Sequence, residues 1–245
     1  MINIKICDIH CHLLFGVDDG AKTMEQAGNM LEIAYEEGIR NIIITPHYNS
    51  RIWPVDESEI KRKYNELVRF ARDYYPNLNI FLGREIYYCS DAMDALRDEQ
   101  PITMAGGQYV LMEFDISIRY EQLTQAIMEI IQFGYIPIIA HVERYECIMK
   151  DYSRAFQLKE LGAYIQVNVS GVMGHYGKGE KKCVKMLLKN RLVEFVATDA
   201  HRDDKRTPHI KKCVEYITKK YGMDYARRLF EINPSLVIEN KNIEE

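Results

Sequence analysis

Five of the seven histidines in this chain fall where short β-branched runs come to an end, and they alternate there with acids. The first such place reads Asp8-Ile9-His10-Cys11-His12. Residues two apart on an extended backbone face the same way, so His10 and His12 can grip one ion together while Cys11 points to the opposite face. Further along come His47 in Thr45-Pro46-His47, then Glu85, Glu113, His141, and the close pair Asp199 and His201. Asp18-Asp19-Gly20 reads either as a common turn or, through Asp19, as one more carboxylate ligand on the same rim. Imidazole and carboxylate donors without thiolate suit manganese, iron or zinc better than magnesium or calcium, which prefer all-oxygen shells. Such a cluster would lower the pKa of bound water towards about 7 and present hydroxide for in-line attack on phosphorus. Arg144, three residues after His141, and Arg202 and Arg206 after His201 offer the paired donors that fit phosphate oxygens, although loop arginines are often simply solvated. His175 and His209 lie away from strand ends and receive no ligand role.

For these residues to converge, the elements that carry them must end on one face. The 245 residues alternate β-branched runs with longer amphipathic stretches, the pattern of a parallel sheet whose crossovers are helices. Strands are predicted over 4–10, 41–45, 79–83, 109–113, 136–140, 164–168 and 194–198, and helices over 23–37, 57–74, 120–133, 153–161, 180–190 and 208–221. Thr23 with Gln26 resembles a capping box, and Gly38, Gly134 and Gly162 follow periodic segments as C-caps do. Seven β-α steps predict an α/β barrel one strand short of eight, with a doubly wound open sheet as the alternative, since periodicity does not show closure. In either case the strand ends share one face. With no Ser/Gly/Pro-rich linker in view, the chain reads as a single domain over 1–245, with 239–245 a frayed polar tail.

Composition removes several function classes. A net charge of −4 gives no basic footprint for a nucleic-acid backbone. No apolar run approaches the roughly 18 residues of a membrane span, the first residues do not read as a secretory signal, and a cytoplasmic location is expected. Cys7, Cys11, Cys89, Cys147, Cys183 and Cys213 have no paired spacing and read as reduced thiols. A cysteine-based phosphatase needs an arginine six residues after its nucleophile; those positions hold Leu13, Val17, Ala95, Ser153, Lys189 and Lys219. No P-loop is present. Tyr64, Leu67, Ala71 and Tyr74 fit the buried stripe of a helix, and the lysines of 178–185 a solvated face.

At the strand-end residues the sequence resembles the PHP (polymerase and histidinol phosphatase) superfamily, and within it the bacterial capsule-associated protein-tyrosine phosphatases of the CpsB/YwqE type. The matching pieces are DIHCHLLFGVDDG at 8–20, TPH at 45–47, GREIY at 83–87, LMEF at 111–114, HVERY at 141–145 and TDAH at 198–201, spread over most of the chain and in the family's order. The resemblance implies a distorted (β/α)7 TIM-like barrel holding two or three divalent ions, with manganese expected and iron or zinc as alternatives. By motif position, His10, His12, Glu85 and Asp199 would bind the first ion. Glu85, Glu113 and His141 would bind the second, and Asp19, His47 and His201 the third. Arg144 and Arg206 would contact phosphate. The last loop reads Arg206-Thr207-Pro208 where the family often has Arg-Pro-Pro, so Arg206 rests on the weaker match.

Acids at Asp19 and Glu113, where other members of the superfamily use histidine, favour phosphotyrosine hydrolysis over histidinol phosphatase. The implied partner is an autophosphorylating bacterial tyrosine kinase, in capsule and exopolysaccharide production. A small-molecule phosphatase is the alternative within enzymes, and a metal-binding module without turnover is the alternative outside them. The loop 48–55, with Arg51 and Trp53, reads either as a surface that meets substrate or as a loop packing the chain's one tryptophan.

Overall fold

The computed structural model describes residues 4–98 and 102–243. Its strands are β1 (Ile6–Cys11), β2 (Ile39–Ile44), β3 (His47–Tyr48), β4 (Asn79–Leu82), β5 (Glu85–Tyr87), β6 (Tyr109–Glu113), β7 (Ile136–Ile139), β8 (Tyr164–Asn168) and β9 (Phe195–Ala197). Every pairing between them is parallel. Two of the seven expected strands, 41–45 and 79–83, resume after a break at their expected ends, as β3 and β5. Thr45-Pro46 parts β2 from β3, where a proline has no N–H to give a ladder, and Gly83-Arg84 parts β4 from β5.

The order runs β1-β2-β4 in one sheet and β3-β5-β6-β7-β8-β9 in the other. Because β3 continues β2 and β5 continues β4, the two sheets are successive parts of one wall whose strands follow the chain in order. The first and last strands meet through a parallel bridge between Cys11 and Ala200 rather than through a ladder. Asp199 N donates to His10 O at 2.8 Å, and His12 N donates to Ala200 O at 2.7 Å. This is the distorted barrel; a doubly wound sheet would place its first strand in the interior of the order.

The crossovers are α1 (Met24–Glu36), α2 (Glu57–Tyr74), α3 (Ser90–Arg97), α4 (Tyr120–Gln132), α5 (Glu146–Lys150), α6 (Arg154–Glu160), α7 (Val169–Met173) and α8 (Lys178–Lys189), followed by α9 (Lys211–Tyr221), α10 (Met223–Arg227) and α11 (Asn233–Ile238). Thr23 caps α1, its hydroxyl accepting from Gln26 N at 3.2 Å. The other half of the expected box differs, because Gln26 Oε1 accepts from Lys22 N instead of reaching Thr23. Along α2, Leu67 and Ala71 are buried and Tyr64 is partly so, but Tyr74 is 66% exposed and lies against Phe70 instead of the barrel. Among the described residues no helix is long and apolar enough to cross a membrane.

Alternation along the strands divides two apolar layers. Ile42, Ile44, Val110, Met112, Ile139, Ile165, Val167 and Val196 face the helices in the outer layer. Cys7, Ile9, Ile43, Tyr109, Leu111, Ile138, Ala140, Phe195 and Ala197 face inward and fill the lower barrel with Met104, Val237 and Ile243. That lower end is closed by a helical stretch the sequence reading left unassigned, α10 to α11 through the π-turn Arg228–Ile232. Residues 239–243, expected to fray, are tied down there: Tyr109 Oη donates to Lys241 O at 2.7 Å, Asn240 Oδ1 accepts from Gln108 N, and Ile243 is buried. The last two residues of that expected tail lie outside the described residues.

Candidate metal centre

Following the inward columns upward, the side chains turn from apolar to ionisable within a few residues, except in β8, where they turn to the amides Gln166 and Asn168. Ile43, Thr45 and His47 share a face, as do Phe81, Gly83 and Glu85; so do Leu111 and Glu113, and Ala197 and Asp199. Two strands break this alternation. In β1 the register shifts between Asp8 and Cys11, sending Cys11 to the outer layer, where its Sγ lies 3.7 Å from Ile43 O, and leaving His10 and His12 fully buried above Ile9. In β7 the inward Ala140 is followed by His141 at φ +33°, a left-handed backbone that swings the next side chain into the same space. Asp199 and Arg206 are also left-handed, at φ +51° and +50°. Non-glycine residues held there are uncommon and tend to mark functional sites.

The donors converge around Glu85. Its Oε2 lies 3.1 Å from His10 Nε2, 3.2 Å from His12 Nε2 and 3.2 Å from His47 Nδ1, while its Oε1 lies 2.9 Å from His141 Nε2. Asp199 Oδ1 is 3.5 Å from His10 Nε2 and 3.6 Å from His12 Nε2. Glu113 lies 3.5 Å from His141 and 3.6 Å from His47. Asp19 Oδ1 is 3.4 Å from His201 Nε2 and 3.5 Å from His47 Nε2. All nine residues expected as ligands thus face one another on one rim. The grouping differs in part from the expected one. Donor atoms of His12 stand close to those of Asp19, His47 and His201, and His47 approaches Glu85 and Glu113 as His141 does.

Outer contacts aim the imidazoles. His12 Nδ1 is 2.8 Å from Asp18 Oδ2, His10 Nδ1 is 3.1 Å from Gln166 Oε1, and His201 Nδ1 is 2.9 Å from Asp199 O. With Nδ1–H donating in each case, the Nε2 lone pair points inward, as metal-bound histidines require. Gln166 Oε1 also accepts from His141 N, and Gln166 Nε2 donates to Asn168 Oδ1. Asn168 Nδ2 then donates to Asp199 Oδ2 at 2.8 Å. Asp18 accepts from the backbone of Gly20 and His47. Gly20 has to be glycine, because a Cβ there would stand 2.2 Å from His12 O. Arg84, buried, donates to Pro46 O, His47 O and Glu57 and so fixes the broken strand that presents His47.

The sequence reading gave Arg84, Asp18, Gln166 and Asn168 no role. The readable signal was the pair of polar residues Gln166 and Asn168, two apart in an otherwise apolar strand.

Electrostatically the rim is a crowd of carboxylates in unequal states: burial would raise Glu85, Asp199 and Asp19, but the histidines around them, with Arg206 beside Asp199, hold these three below the ordinary carboxyl range. Burial, and then the charge of Glu85, push the Glu113 carboxyl up to about 8. Burial pushes His47 down to about 4, and it lowers His201 and His141 as well, so these rings are neutral and have lone pairs to give. Burial alone would lower His10 and His12 too, but Glu85 and Asp199 beside His10, and Asp18 and Glu85 beside His12, raise them. Asp19 Oδ1 is enclosed and has no hydrogen-bond donor. Mutually repelling buried acids, neutral imidazoles and an orphaned carboxylate oxygen are what divalent cations would satisfy, so the donor set fits the expected metal.

Of the arginines, Arg144 is half-buried beside Asp199 and Glu113, and among the described residues its guanidinium has no ion-pair partner within 4.0 Å. Arg206 makes a contact that the sequence did not specify: its Nη2 donates to Asp199 Oδ2 at 2.7 Å, which steadies a candidate ligand. Arg202 is exposed.

A model of the family described as "Capsular polysaccharide synthesis, CpsB/CapC" matches residues 6–239. Tyrosine-protein phosphatase CpsB of Streptococcus pneumoniae is 33% identical over 241 residues, spanning 96% of this chain and 99% of that protein. Tyrosine-protein phosphatase YwqE of Bacillus subtilis strain 168 is 31% identical over 237 residues, spanning 96% and 92%. A solved structure from a study of YwqE and CpsB, described as unique metal-dependent tyrosine phosphatases, superposes with a TM-score of 0.90 at 29% identity, covering 98% of this chain and 96% of the other.

Proposed function

The chain belongs to the CpsB/CapC family of capsular polysaccharide synthesis, and from that premise we propose how its rim works as a metal-dependent protein-tyrosine phosphatase. The observation that carries the reading is the convergence of four histidines on the single carboxylate of Glu85, with an unpaired arginine half-buried beside them.

In this proposal His10, His12, Glu85 and Asp199 hold one ion. Glu85, Glu113 and His141 hold a second, and Asp19, His47 and His201 hold a third, with His12 within reach of that last group. When bound, the ions supply Lewis acidity and a water activated for attack on phosphorus. The protein does the rest. Asp18, Gln166 and the Asp199 carbonyl keep a proton on Nδ1 of three histidines, so that their Nε2 atoms stay available. Arg144 binds the phosphoryl oxygens and meets the charge that builds on them in the transition state. Arg206, whose guanidinium holds Asp199, orients that carboxylate and offers its remaining N–H groups to phosphate.

The phosphotyrosine protein we propose as substrate is an autophosphorylating bacterial tyrosine kinase, with manganese as the native ion, a cytoplasmic setting, and the whole chain acting as one unit.

The test is metal-stripped protein reconstituted with manganese and assayed side by side on a phosphotyrosine peptide, a phosphoserine peptide and histidinol phosphate. Manganese-dependent preference for phosphotyrosine is expected. Preference for histidinol phosphate would keep the metal centre and replace the substrate, and hydrolysis of none of the three would leave a binding module.

A further inference from the structure

The chain's one tryptophan is not used to build either apolar layer. Trp53 sits half-buried in the loop that follows β3, between Tyr48 and Val55, which do pack against the outer layer and anchor the loop on both sides. Between those anchors the backbone is braced. Asn49 is buried; its carbonyl accepts from Trp53 N at 2.7 Å and its Oδ1 accepts from Arg51 N and Ile52 N. Arg51 makes a two-pronged pair with Asp91 at the start of α3. The indole held out by this frame lies 7° from parallel with the imidazole of His47, with ring centres 6.4 Å apart. Both nitrogens of that imidazole face carboxylates of the donor cluster, Glu85 and Asp19. An aromatic plane thus stands beside the ionisable rim, next to His47 and on the side where Asp19 is partly exposed.

Resting on the phosphatase reading above, we propose that Trp53 is the surface against which the aryl ring of the substrate lies, and that it sets the preference of this site for aryl over alkyl phosphate esters. A large aromatic face supplies contact area and ring-on-ring attraction to a phenyl ester that a serine or glycerol ester has no ring to receive. The loop's bracing means that little conformational freedom is lost when the ring docks.

Two measurements decide this. First, kcat and KM are compared on a phosphotyrosine peptide and a phosphoserine peptide for the wild type, Trp53→Ala and Trp53→Phe. For Trp53→Ala the ratio of kcat/KM, aryl to alkyl, falls about tenfold, mostly through KM on the aryl ester, and Trp53→Phe restores most of it. An unchanged ratio would overturn the proposal while leaving the phosphatase reading intact. Second, because no other tryptophan is present, emission excited at the long-wavelength edge, where tyrosine does not absorb, reports on Trp53 alone. Phenylphosphonate should shift or quench it and methylphosphonate should not; equal responses, or none, would remove Trp53 from the substrate's path. This titration needs no turnover, so it still decides the matter for a protein that hydrolyses neither peptide.

Discussion

Apart from β8, whose upper residues are the amides Gln166 and Asn168, the inward-facing columns of the barrel are apolar at one end and ionisable at the other, and the change takes about two residues. At the lower end Phe195, Tyr109, Ile138 and Ile9 pack against Val237 and Ile243 from the closing helices and tail. At the upper end the same columns carry Asp199, Glu113, His141, His10 and His12. The lower half gains stability from burial, roughly 1.5–3 kcal/mol for each large side chain. The upper half holds left-handed residues, an orphaned carboxylate oxygen and a carboxyl pushed up to about 8, all of which cost stability. The difference shows a barrel whose floor stabilises a rim that would not assemble on its own account.

Substitutions at the two ends should therefore separate activity from stability. The largest effect is expected at the rim: His141→Ala and Asp199→Ala should abolish turnover of a phosphotyrosine peptide while circular dichroism stays that of the wild type. Wild-type rates in both folded variants would remove these residues from the proposed centre. Next, Arg144→Ala should lower kcat about 10²–10³-fold, the cost of losing a donor to developing charge. Bound metal, measured by elemental analysis, should not change; unchanged kinetics would take Arg144 off the phosphate.

At the floor the pattern reverses. Phe195→Ala should cost about 3–5 kcal/mol in a denaturant titration, with kcat/KM of the remaining folded protein near that of the wild type. A rim-like loss of rate there would blur the division. The smallest effect is expected from a buried acid outside both columns. Burial holds the Glu194 carboxyl above its ordinary range, although Lys159 Nζ, 2.6 Å away, pulls it down. The folded protein then binds that proton more tightly than the unfolded chain does. Its contribution is full in acid and is lost as pH rises from the ordinary carboxyl range through the raised value. Glu194→Gln should flatten that decline in Tm, and an identical slope in both proteins would show that Glu194 does not titrate in this window.

Most of this division is legible in the amino-acid sequence. The β-branched runs located seven strands because parallel strands buried on both faces need them, and eight of the nine rim residues stood out as ionisable groups at or just past the strand ends, whereas Asp19, in a loop that also reads as a turn, rested mainly on the family resemblance. Periodicity did not reveal where it would fail. Alternation did place His10 and His12 together with Cys11 opposite, but the left-handed turn at His141 depends on its surroundings, so strict alternation could not bring His141 into their space. The closing helices were missed because 223–238 is short pieces joined by a π-turn, with no long amphipathic period. Arg84 and Asp18 went unassigned because their partners are largely backbone groups, Pro46 O, His47 O and the N–H of His47 and Gly20. The engagement of Arg206 by Asp199 is a contact across a loop, which spacing alone does not specify.

The join between the first and last strands, where Asp199 N reaches His10 O, bears on how the protein is made. His10 leaves the ribosome long before Asp199 and His201, which lie at the far end of the strand order. No nascent fragment short of that point holds the complete proposed ligand set. Capture of the full cluster therefore waits for the last strand to close against the first, and the ions it takes are those offered to an assembled barrel rather than to its early strands.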